Sequence, residues 1–473
     1  MMNFRSYSNV TKIVIPNNIT LSKTILNNTF YGMRNLREIE LPNSVTNMTY
    51  TCRNCTNLTT AVCGPNVTNM GSTYQNCANL TTAASGPNVT NMKSTYLNCA
   101  NLTTAVCGPN VTNMSGTYAS CRNLTTAVCG PNVTTMGNTY NSCYNLTTAV
   151  CGPNVTNMSS TYTRCSRLTT AVCGPNVTSM SSTYYSCANL TTAVCGPNVT
   201  TMSSTYRSCA NLTTAVCGPN VTNMSSTYEH CANLTTAASG PNVTSMDYTY
   251  NNCRNLITAA CGPNVINMKC TYMNCTNLTT AVCGPNVTRM SGTYQNCTNL
   301  ITAACGPNVT SMSGFQLGNE DYTAYKNCTS LTTAVCGPKV LSMGKAYENC
   351  TNLTTAVCGP SVKYMDYAYH NCINIAGNTY FYSNNVQSIG NCFGGRNTSN
   401  MLNIYVHLGT ITNTTIMNIS AGDSLTDNAI TWTDDYAANG CYYNTYENIY
   451  IYPVESVEEA RIANGDPDYM GNL

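Results

Sequence analysis

Apolar residues recur along most of this chain at a fixed interval, separated by polar and turn-forming residues. The interval is clearest for the cysteine that precedes each Asn-Leu pair or its equivalent, which returns every 22 residues from Cys55 to Cys297. After a step of 31 residues to Cys328, the interval of 22 resumes at Cys350 and Cys372. A fixed period in the range of about 20–50 residues predicts a solenoid, because one such unit cannot bury its apolar side alone and must stack on copies of itself.

Each unit carries two groups of apolar positions divided by a turn. In one unit these positions are Leu190, Ala193, Cys195, Val199, Met202, Tyr206 and Cys209. The Leu-x-x-Ala-x-Cys spacing matches the strand half of a leucine-rich repeat. The Gly-Pro-Asn triplet that follows indicates a corner, because proline fixes φ and glycine and asparagine tolerate turn conformations. The pattern therefore predicts a strand, a tight turn, a second short strand over 199–202 and a polar return loop over 203–208.

The N-terminal units, which are less uniform than the rest, resemble a known family. Its positions are occupied here by Phe30, Leu36, Ile39, Leu41, Pro42, Val45 and Met48. They resemble the BspA-like leucine-rich repeat, whose unit runs Phe-x-x-Cys-x-x-Leu-x-x-Ile-x-Ile-Pro-x-x-Val-x-x-Ile. In the next units Tyr74 replaces the phenylalanine, Ala61 and Cys63 replace two isoleucines, and Met70 replaces the last one. The resemblance covers residues 10–395; it implies adhesion and surface recognition, as in bacterial surface proteins and phage tail proteins, and no catalysis.

Pattern and resemblance together predict a mainly β leucine-rich-repeat solenoid of 22-residue coils with a small C-terminal α+β cap. The expected divisions are N-terminal capping repeats over 1–54, the solenoid over 55–396 with an insertion near 314–322, and a cap or attachment region over 397–473. In this last region 404–407, 448–452 and the Thr-rich run between them indicate strands. Ser456 followed by Glu459 is a capping-box pattern, which predicts the start of a short helix.

Charged residues make up only 8% of the chain, and the formal net charge is +2. Typical soluble proteins carry about 25% charged residues. Low charge with 42% apolar residues is the reverse of a disordered composition. It also gives no bulk attraction to nucleic acid or to an anionic membrane. No segment reaches the ~18 apolar residues of a membrane span, and residues 1–12 lack the apolar core of a signal peptide. We therefore expect no nucleic-acid partner, no membrane insertion and no Sec export.

The chain contains 31 cysteines, an odd number that leaves at least one without an intrachain partner. The leading cysteines form one column, and the cysteines equivalent to Cys63 form a second. Stacked parallel side chains keep Cβ atoms about 4.8 Å apart, against the ~3.8 Å of a disulfide. Ser85 and Ser239 replace members of the second column. We therefore expect both columns to be buried thiols that act as small hydrophobes. A disulfide framework and a metal site at Cys52-Arg-Asn-Cys55 are the alternatives.

The position two residues before each leading cysteine accepts every chemical class of side chain. Such tolerance predicts that it is exposed to solvent and under little packing constraint. We take it as a candidate recognition edge, with neutral drift as the alternative. The edge comprises Gln75, Leu97, Asn141, Tyr185, Arg207, Glu229, Met273 and Gln295.

Two positions of the expected first strand hardly change between units, although they should point away from the core. They would form a flat, uncharged ladder suited to a second copy, a polysaccharide or ice. Recent duplication combined with β-propensity is the alternative. The ladder comprises Thr60, Val62, Thr104, Val106, Thr126, Val128, Thr148 and Val150. Most corners also carry Asn-Val-Thr, a possible glycosylation acceptor, in which we expect asparagine to satisfy backbone groups and threonine to face solvent.

The sequence contains no catalytic constellation, no phosphate-binding loop and only three histidines. We therefore predict a non-enzymatic structural or adhesive protein without a cofactor. The first hypothesis is a phage virion component, a tail fibre or receptor-binding appendage assembled in the bacterial cytoplasm. It would present a rigid surface to a host receptor or glycan, contact other virion or surface proteins, and be compatible with a homo-oligomer. The alternatives are a cell-surface adhesin of a bacterium or protist, and an ice- or polysaccharide-binding solenoid that uses the Thr/Val ladder.

Overall fold

A computed structural model describes residues 7, 9–19, 24–317, 320–407, 433–434, 442–444 and 448–466. The chain divides into two compact units, residues 1–232 and 233–473.

The first unit consists of stacked repeats joined by parallel backbone pairing. It begins with β1 (Lys12–Val14), which pairs in parallel with β2 (Glu38–Glu40). Further along, isolated parallel bridges join residues 22 apart, from Asn47 with Asn69 to Thr201 with Asn223. Each coil therefore repeats the backbone contacts of the coil before it.

The second unit contains further repeats, a hairpin and a six-stranded sheet. The hairpin is β3 (Phe315–Leu317) with β4 (Glu320–Tyr322), in the insertion predicted near 314–322. The sheet has the order β5-β6-β7-β10-β9-β8, parallel from β5 to β10 and antiparallel beyond. Its strands are β5 (Val357–Cys358), β6 (Gly377–Phe381), β7 (Leu402–His407), β8 (Thr433–Asp434), β9 (Tyr442–Asn444) and β10 (Ile449–Val454).

A short helix, α1 (Val457–Ala463), follows the last strand. Ser456 is its N-cap and accepts the backbone N–H of Glu459 at 3.2 Å, so the predicted helix start is confirmed. The strand predicted at 404–407 lies within β7, and the strand predicted at 448–452 lies within β10 except for Asn448, which is a turn residue. The Thr-rich run at 408–432 lies outside the described residues.

The stretch predicted to be the return loop carries the regular inter-coil hydrogen bonds. In one coil Met202, Ser204, Tyr206 and Ser208 donate their backbone N–H groups to the next coil at 2.8–3.0 Å. Ser204 and Ser208 have φ angles of 55° and 62°. These left-handed residues turn the chain, so the predicted return loop over 203–208 is confirmed, and every second N–H of the loop still points to the next coil.

The segment 190–195, predicted to be the main strand, does not form a regular strand. Thr191 donates its N–H to the carbonyl oxygen of Thr169 at 3.0 Å. The backbone of Val194, three residues later, is bonded differently. The hydroxyl of Tyr206 accepts the N–H of Val194 at 2.9 Å and donates to the carbonyl oxygen of Val194 at 2.6 Å. Because the phenol satisfies both groups of Val194, this position needs no inter-coil ladder bond.

The core of each unit consists of columns of identical side chains. Leucine, valine, methionine, tyrosine and leading cysteine are fully buried in coil after coil. In the first unit neighbouring tyrosine rings stack with centroids 5.5–5.6 Å apart. A buried threonine column lies beside them; the Thr139 hydroxyl is 2.7 Å from the carbonyl oxygen of Met136 and 2.8 Å from that of Met114. The core therefore includes polar groups whose hydrogen bonds are satisfied.

Candidate functional site

The structure places the predicted Thr/Val ladder partly at the surface. Its threonines Thr60, Thr104, Thr126 and Thr148 are exposed, as expected. Its valines are half-buried: Val62, Val106, Val128 and Val150. The backbone of these valines bonds to a tyrosine hydroxyl, as in the pair of Val128 with Tyr140. The accessible part of this face is therefore a row of threonines.

The predicted recognition edge is not exposed. Glu229 and Gln295 retain only 6% and 7% of their surface. The other members are half-buried: Gln75, Leu97, Asn141, Tyr185, Arg207 and Met273. The expectation of exposure is wrong, because side chains at this position lie beside their copies in neighbouring coils and cover one another. A role of this column in recognition stays a prediction.

Three consecutive copies show the contacts that replace solvent. The guanidinium carbon of Arg207 lies 5.9 Å from the ring centre of Tyr185. Its Nε lies 3.2 Å from Oε2 of Glu229, whose other oxygen is 3.6 Å from Nε2 of His230. Variation at this column is therefore accommodated by attraction between neighbours, a cation–π contact on one side and an ion pair on the other.

A different surface of the first unit forms a long open groove, with a volume of about 1120 Å³. Its walls come from the Asn-Val-Thr corners and from one earlier threonine, so every lining side chain is neutral. The lining residues are Thr46, Asn66, Thr68, Asn88, Thr90, Asn110, Thr112, Asn132, Thr134, Asn154, Thr156, Asn176, Thr178 and Asn198. The Asn-Val-Thr triplets are visible in the sequence, but the groove forms only when several of these corners stack, so one repeat does not predict it.

The groove side chains are held by the preceding coil. The amide of Asn132 donates to the carbonyl oxygen of Pro109 at 2.9 Å, and the hydroxyl of Thr134 donates to that of Thr112 at 3.2 Å. The predicted roles of both residue types are thus confirmed, because asparagine satisfies a corner and Thr134 is exposed. An asparagine side chain has two N–H donors and an acceptor oxygen, so one such bond does not exhaust its capacity.

The two cysteine columns differ in burial. The leading Cys143 is fully buried, donates to the carbonyl oxygen of Tyr118 at 3.1 Å, and has its pKa raised to about 12 by burial. The second-column Cys129 is only half-buried, and burial raises its pKa to about 11. Most second-column thiols share this partial exposure, so full burial was the wrong expectation for them, whereas Cys336 and Cys358 are buried. The described cysteines are present as thiols.

The Cys-x-x-Cys motif at Cys52 and Cys55 is buried in the first unit. The hydrogen bond between these two side chains raises the pKa of Cys52 and lowers that of Cys55. Across the residues that the structure describes, no group of three or more His, Cys, Asp or Glu side chains is arranged to hold a metal ion. In the same residues, no helix has the length and apolar character to cross a bilayer.

The repeat geometry agrees with comparisons to known proteins. A family model for the BspA-type leucine-rich repeat region (six copies) matches residues 2–119, 115–213, 224–323 and 319–447. The chain belongs to the BspA-type leucine-rich repeat family. The resemblance seen at residues 30–48 is thereby confirmed, and it extends over most of the sequence. The matching model describes a repeat region and indicates no catalytic activity.

Solved structures of bacterial leucine-rich repeat proteins are similar to this BspA-type chain at low identity. One from Bacteroides ovatus is 15% identical, with a TM-score of 0.51, over 78% of this chain and 86% of that one. A leucine-rich cell surface protein from Faecalibacterium prausnitzii is 17% identical, over 75% and 88%, with a TM-score of 0.37. A search of the curated proteins gives no match. The Bacteroides ovatus structure supports the leucine-rich repeat fold.

Proposed function

We propose that this BspA-type chain is a non-enzymatic adhesive protein of a cell surface, and that its groove binds an extended, neutral glycan. The groove, defined by the Asn and Thr residues from Thr46 to Asn198, is the observation that carries the proposal. Family membership supports an adhesive function, because proteins with this type of repeat are typically cell-surface proteins and not enzymes.

The chemistry of the groove favours sugars over charged ligands. Asparagine amides and threonine hydroxyls both donate and accept hydrogen bonds, as sugar hydroxyls do. A groove lined by neutral side chains offers no opposite charge to a phosphate or an amine. Its volume of about 1120 Å³ exceeds the roughly 300–1,000 Å³ of a pocket for one small molecule. An extended polymer is therefore the better match.

Repetition explains how weak contacts give useful adhesion. Each coil offers the same Asn and Thr pair, so successive sugars of one chain can bind successive coils. Once the first sugar is bound, the following contacts are intramolecular and add avidity without new chemistry. We expect affinity to rise with glycan length.

The test compares two faces with the same residue type and the same substitution. The groove variant is Thr112→Glu with Thr134→Glu, and the ladder variant is Thr126→Glu with Thr148→Glu. All four threonines are exposed, so both variants should fold. The full chain is screened on immobilised neutral glycans, and the affinity for the best binder is measured.

We expect the groove variant to lose about tenfold or more in affinity, the equivalent of about 1.4 kcal/mol, and the ladder variant to bind as the natural chain does. Loss of binding in the ladder variant alone would instead place the site on the threonine row, which is the polysaccharide alternative. Equal binding by all three proteins, or no glycan binding by the natural chain, would contradict the proposal.

Several finer assignments stay predictions beside this one. They are the virion location, a host receptor, homo-oligomer formation, the ice-binding use of the ladder, and the division into 1–54, 55–396 and 397–473. For the last region we propose a role in closing the repeat array. Its support is that β7 and β10 extend the sheet in parallel, with Leu402, Ile404, Ile449 and Ile451 buried.

A further inference from the structure

A further cavity, with a volume of about 380 Å³, lies within the unit of residues 233–473 and has no part in the adhesive groove. Ten residues between positions 55 and 314 carry a charge, and three of them line this one cavity. Charge is therefore concentrated here in an array that is otherwise nearly neutral. The polar side chains of this charged cavity are Asp247, Lys269, Arg289, Ser291, Ser311 and Ser313.

The register of the repeats brings these side chains together. Parallel bridges pair Asn267 with Arg289 and Arg289 with Ser311, so the three residues form one column. Asp247 and Lys269, 22 residues apart, belong to the neighbouring column. The backbone N–H of Lys269 donates to Oδ1 of Asp247 at 3.0 Å, which fixes the carboxylate against the next coil. Successive coils thus supply opposite charges to the same cavity.

The insertion bounds the cavity on one side. Gly314, which lines the cavity, immediately precedes β3. A Cβ atom on Gly314 would overlap the carbonyl oxygen of Tyr322, the last residue of β4, so the hairpin closes tightly at this point. Tyr322 also lies against the coil, since a Cβ atom on Gly292 would be 3.4 Å from its Cβ atom. The cavity is therefore bounded by a feature that the regular repeat lacks.

The serines and the carboxylate offer hydrogen-bond acceptors. The hydroxyls of Ser291 and Ser311 donate to the carbonyl oxygen of Ser313, at 3.2 and 3.3 Å. Because each hydroxyl has one proton and two lone pairs, its oxygen still accepts. An ionised Asp247 accepts hydrogen bonds and donates none. A ligand that carries several hydroxyl donors matches this set of acceptors.

Two cations complete the cavity. Arg289 is exposed, and the ion pairs among the residues that the structure describes do not include it. Nζ of Lys269 lies 5.5 Å from the centre of the Tyr248 ring, a cation–π distance. A guanidinium presents parallel N–H groups that fit a carboxylate. With Asp247 the lining carries a net charge of +1, which one carboxylate neutralises.

We propose that the charged cavity binds one uronic acid residue, a sugar that carries a carboxylate. The carboxylate pairs with Arg289 and Lys269, and the sugar hydroxyls donate to Asp247, Ser291 and Ser311. The volume of about 380 Å³ lies near the lower end of the roughly 300–1,000 Å³ of small-molecule pockets, which suits a single sugar. Asp247 would repel a multiply charged anion, and a zwitterion would leave the net positive charge uncompensated. The site is separate from the groove, so this inference does not rest on neutral-glycan binding there.

The first experiment compares sugars that differ in the group at C6. The full chain is titrated at low ionic strength with glucuronate, galacturonate, glucose, galactose and acetate, and binding is measured by calorimetry. We expect one of the two uronates to bind about tenfold or more tightly than its neutral counterpart and than acetate, as loss of a hydrogen bond to a charged group predicts. Absence of uronate binding, or an affinity equal to that for the neutral sugar or for acetate, would overturn the proposal.

The second experiment uses variants that restore residues of other coils. Arg289→Thr and Lys269→Ser introduce the residues found at the equivalent positions, Thr201 and Ser203. Because other coils of the same array contain these residues, both variants should fold, and circular dichroism checks this. We expect each variant to bind the uronate about tenfold or more weakly. Undiminished affinity in Arg289→Thr would overturn the proposal.

A matched control separates the cavity from the overall charge of the chain. Arg254 is exposed and lies outside the cavity lining. Arg254→Ala introduces the residue of the preceding coil, Ala232, and also removes one positive charge. We expect this variant to bind the uronate as the natural chain does. A loss equal to that of Arg289→Thr would show that general attraction of anions accounts for the binding, and would contradict a site in the cavity.

Discussion

Tyr140 and Val128 are joined by two hydrogen bonds through a single hydroxyl group. The phenol accepts the N–H of Val128 at 2.8 Å and donates to its carbonyl oxygen at 2.6 Å. The same ring stacks on Tyr118 and Tyr162, each at a centroid distance of 5.6 Å. One side chain thus replaces a missing backbone pairing within its own coil and packs against both neighbouring coils.

Removal of this hydroxyl should be costly. In Tyr140→Phe the N–H and carbonyl of Val128 lose their partner, and an unsatisfied buried group costs about 1–3 kcal/mol. We expect the free energy of unfolding, measured by urea titration, to fall by that amount. The control is Tyr144→Phe, whose ring is 38% exposed. An equal effect of both substitutions would show that the double bond to Val128 contributes nothing specific.

Two glycines should respond in opposite directions to the same substitution. A Cβ atom on Gly152 would lie 2.8 Å from Sγ of Cys129 and 3.0 Å from the carbonyl oxygen of Gly130. Gly152→Ala should therefore destabilise the protein by about 1–3 kcal/mol. At Gly137 the nearest atom to an added Cβ is 3.7 Å away, so Gly137→Ala should be neutral or stabilise by about 0.4–1 kcal/mol. Thermal unfolding of the pair checks the sign of each effect.

Stability should decline in alkaline solution. Burial raises the pKa of Cys99 and of Cys143 from the ordinary 9.0 to about 12, and it also raises the pKa of Tyr140. The folded state therefore holds protons that the unfolded chain releases from about pH 9 upward. Because the unfolded state then binds fewer protons, the free energy of unfolding falls as pH rises toward 12.

Urea titrations at a series of pH values measure this decline. The variant Cys99→Ser, which replaces a titrating thiol with a hydroxyl, should lose less stability between neutral and alkaline pH than the natural chain does. A free energy of unfolding that stays constant over this range would contradict the burial of these thiols.

Arg164 occupies a left-handed position that suits it poorly. Its φ angle is 62°, and the equivalent residues Asn76 and Asn98 have 62° and 63°. The left-handed conformation costs most residues about 1–2 kcal/mol, and asparagine less because its short side chain bonds locally. Arg164→Asn should raise the free energy of unfolding by up to about 1 kcal/mol. The exposed Arg167 is the control, since Arg167→Asn should change little.

The fold class could be predicted from the sequence because the apolar positions recur with the same period as the coils, and these positions are the ones that are buried. The side chains of Leu190, Val199 and Met202 are apolar, and all three are buried, as the period predicts. The helix after Ser456 was predictable for a local reason, since its cap needs only a hydroxyl and the N–H of Glu459.

Other features could not be predicted, because they depend on contacts within the folded coil or between neighbouring coils that the sequence of one repeat does not show. The apolar periodicity accounts for the buried ring of Tyr206 but does not predict the two hydrogen bonds that its hydroxyl makes with Val194. Variation from Tyr185 to Arg207 to Glu229 indicated exposure, but neighbouring copies neutralise one another's charge and polarity. The groove was missed because it exists only when several Asn-Val-Thr corners are stacked.

Consecutive coils make equivalent hydrogen bonds, and this equivalence determines what happens when a whole repeat is lost or gained. Tyr118 donates its N–H to the oxygen of Thr139 at 2.9 Å, and Tyr140 donates to that of Thr161 at the same distance. If a recombination event deleted residues 121–142, Tyr118 would meet Thr161, a threonine in an equivalent setting. Loss or gain of one 22-residue repeat in this register therefore removes or adds one whole coil and leaves Tyr118 opposite an equivalent acceptor, so the length of the array can change without any new side chain.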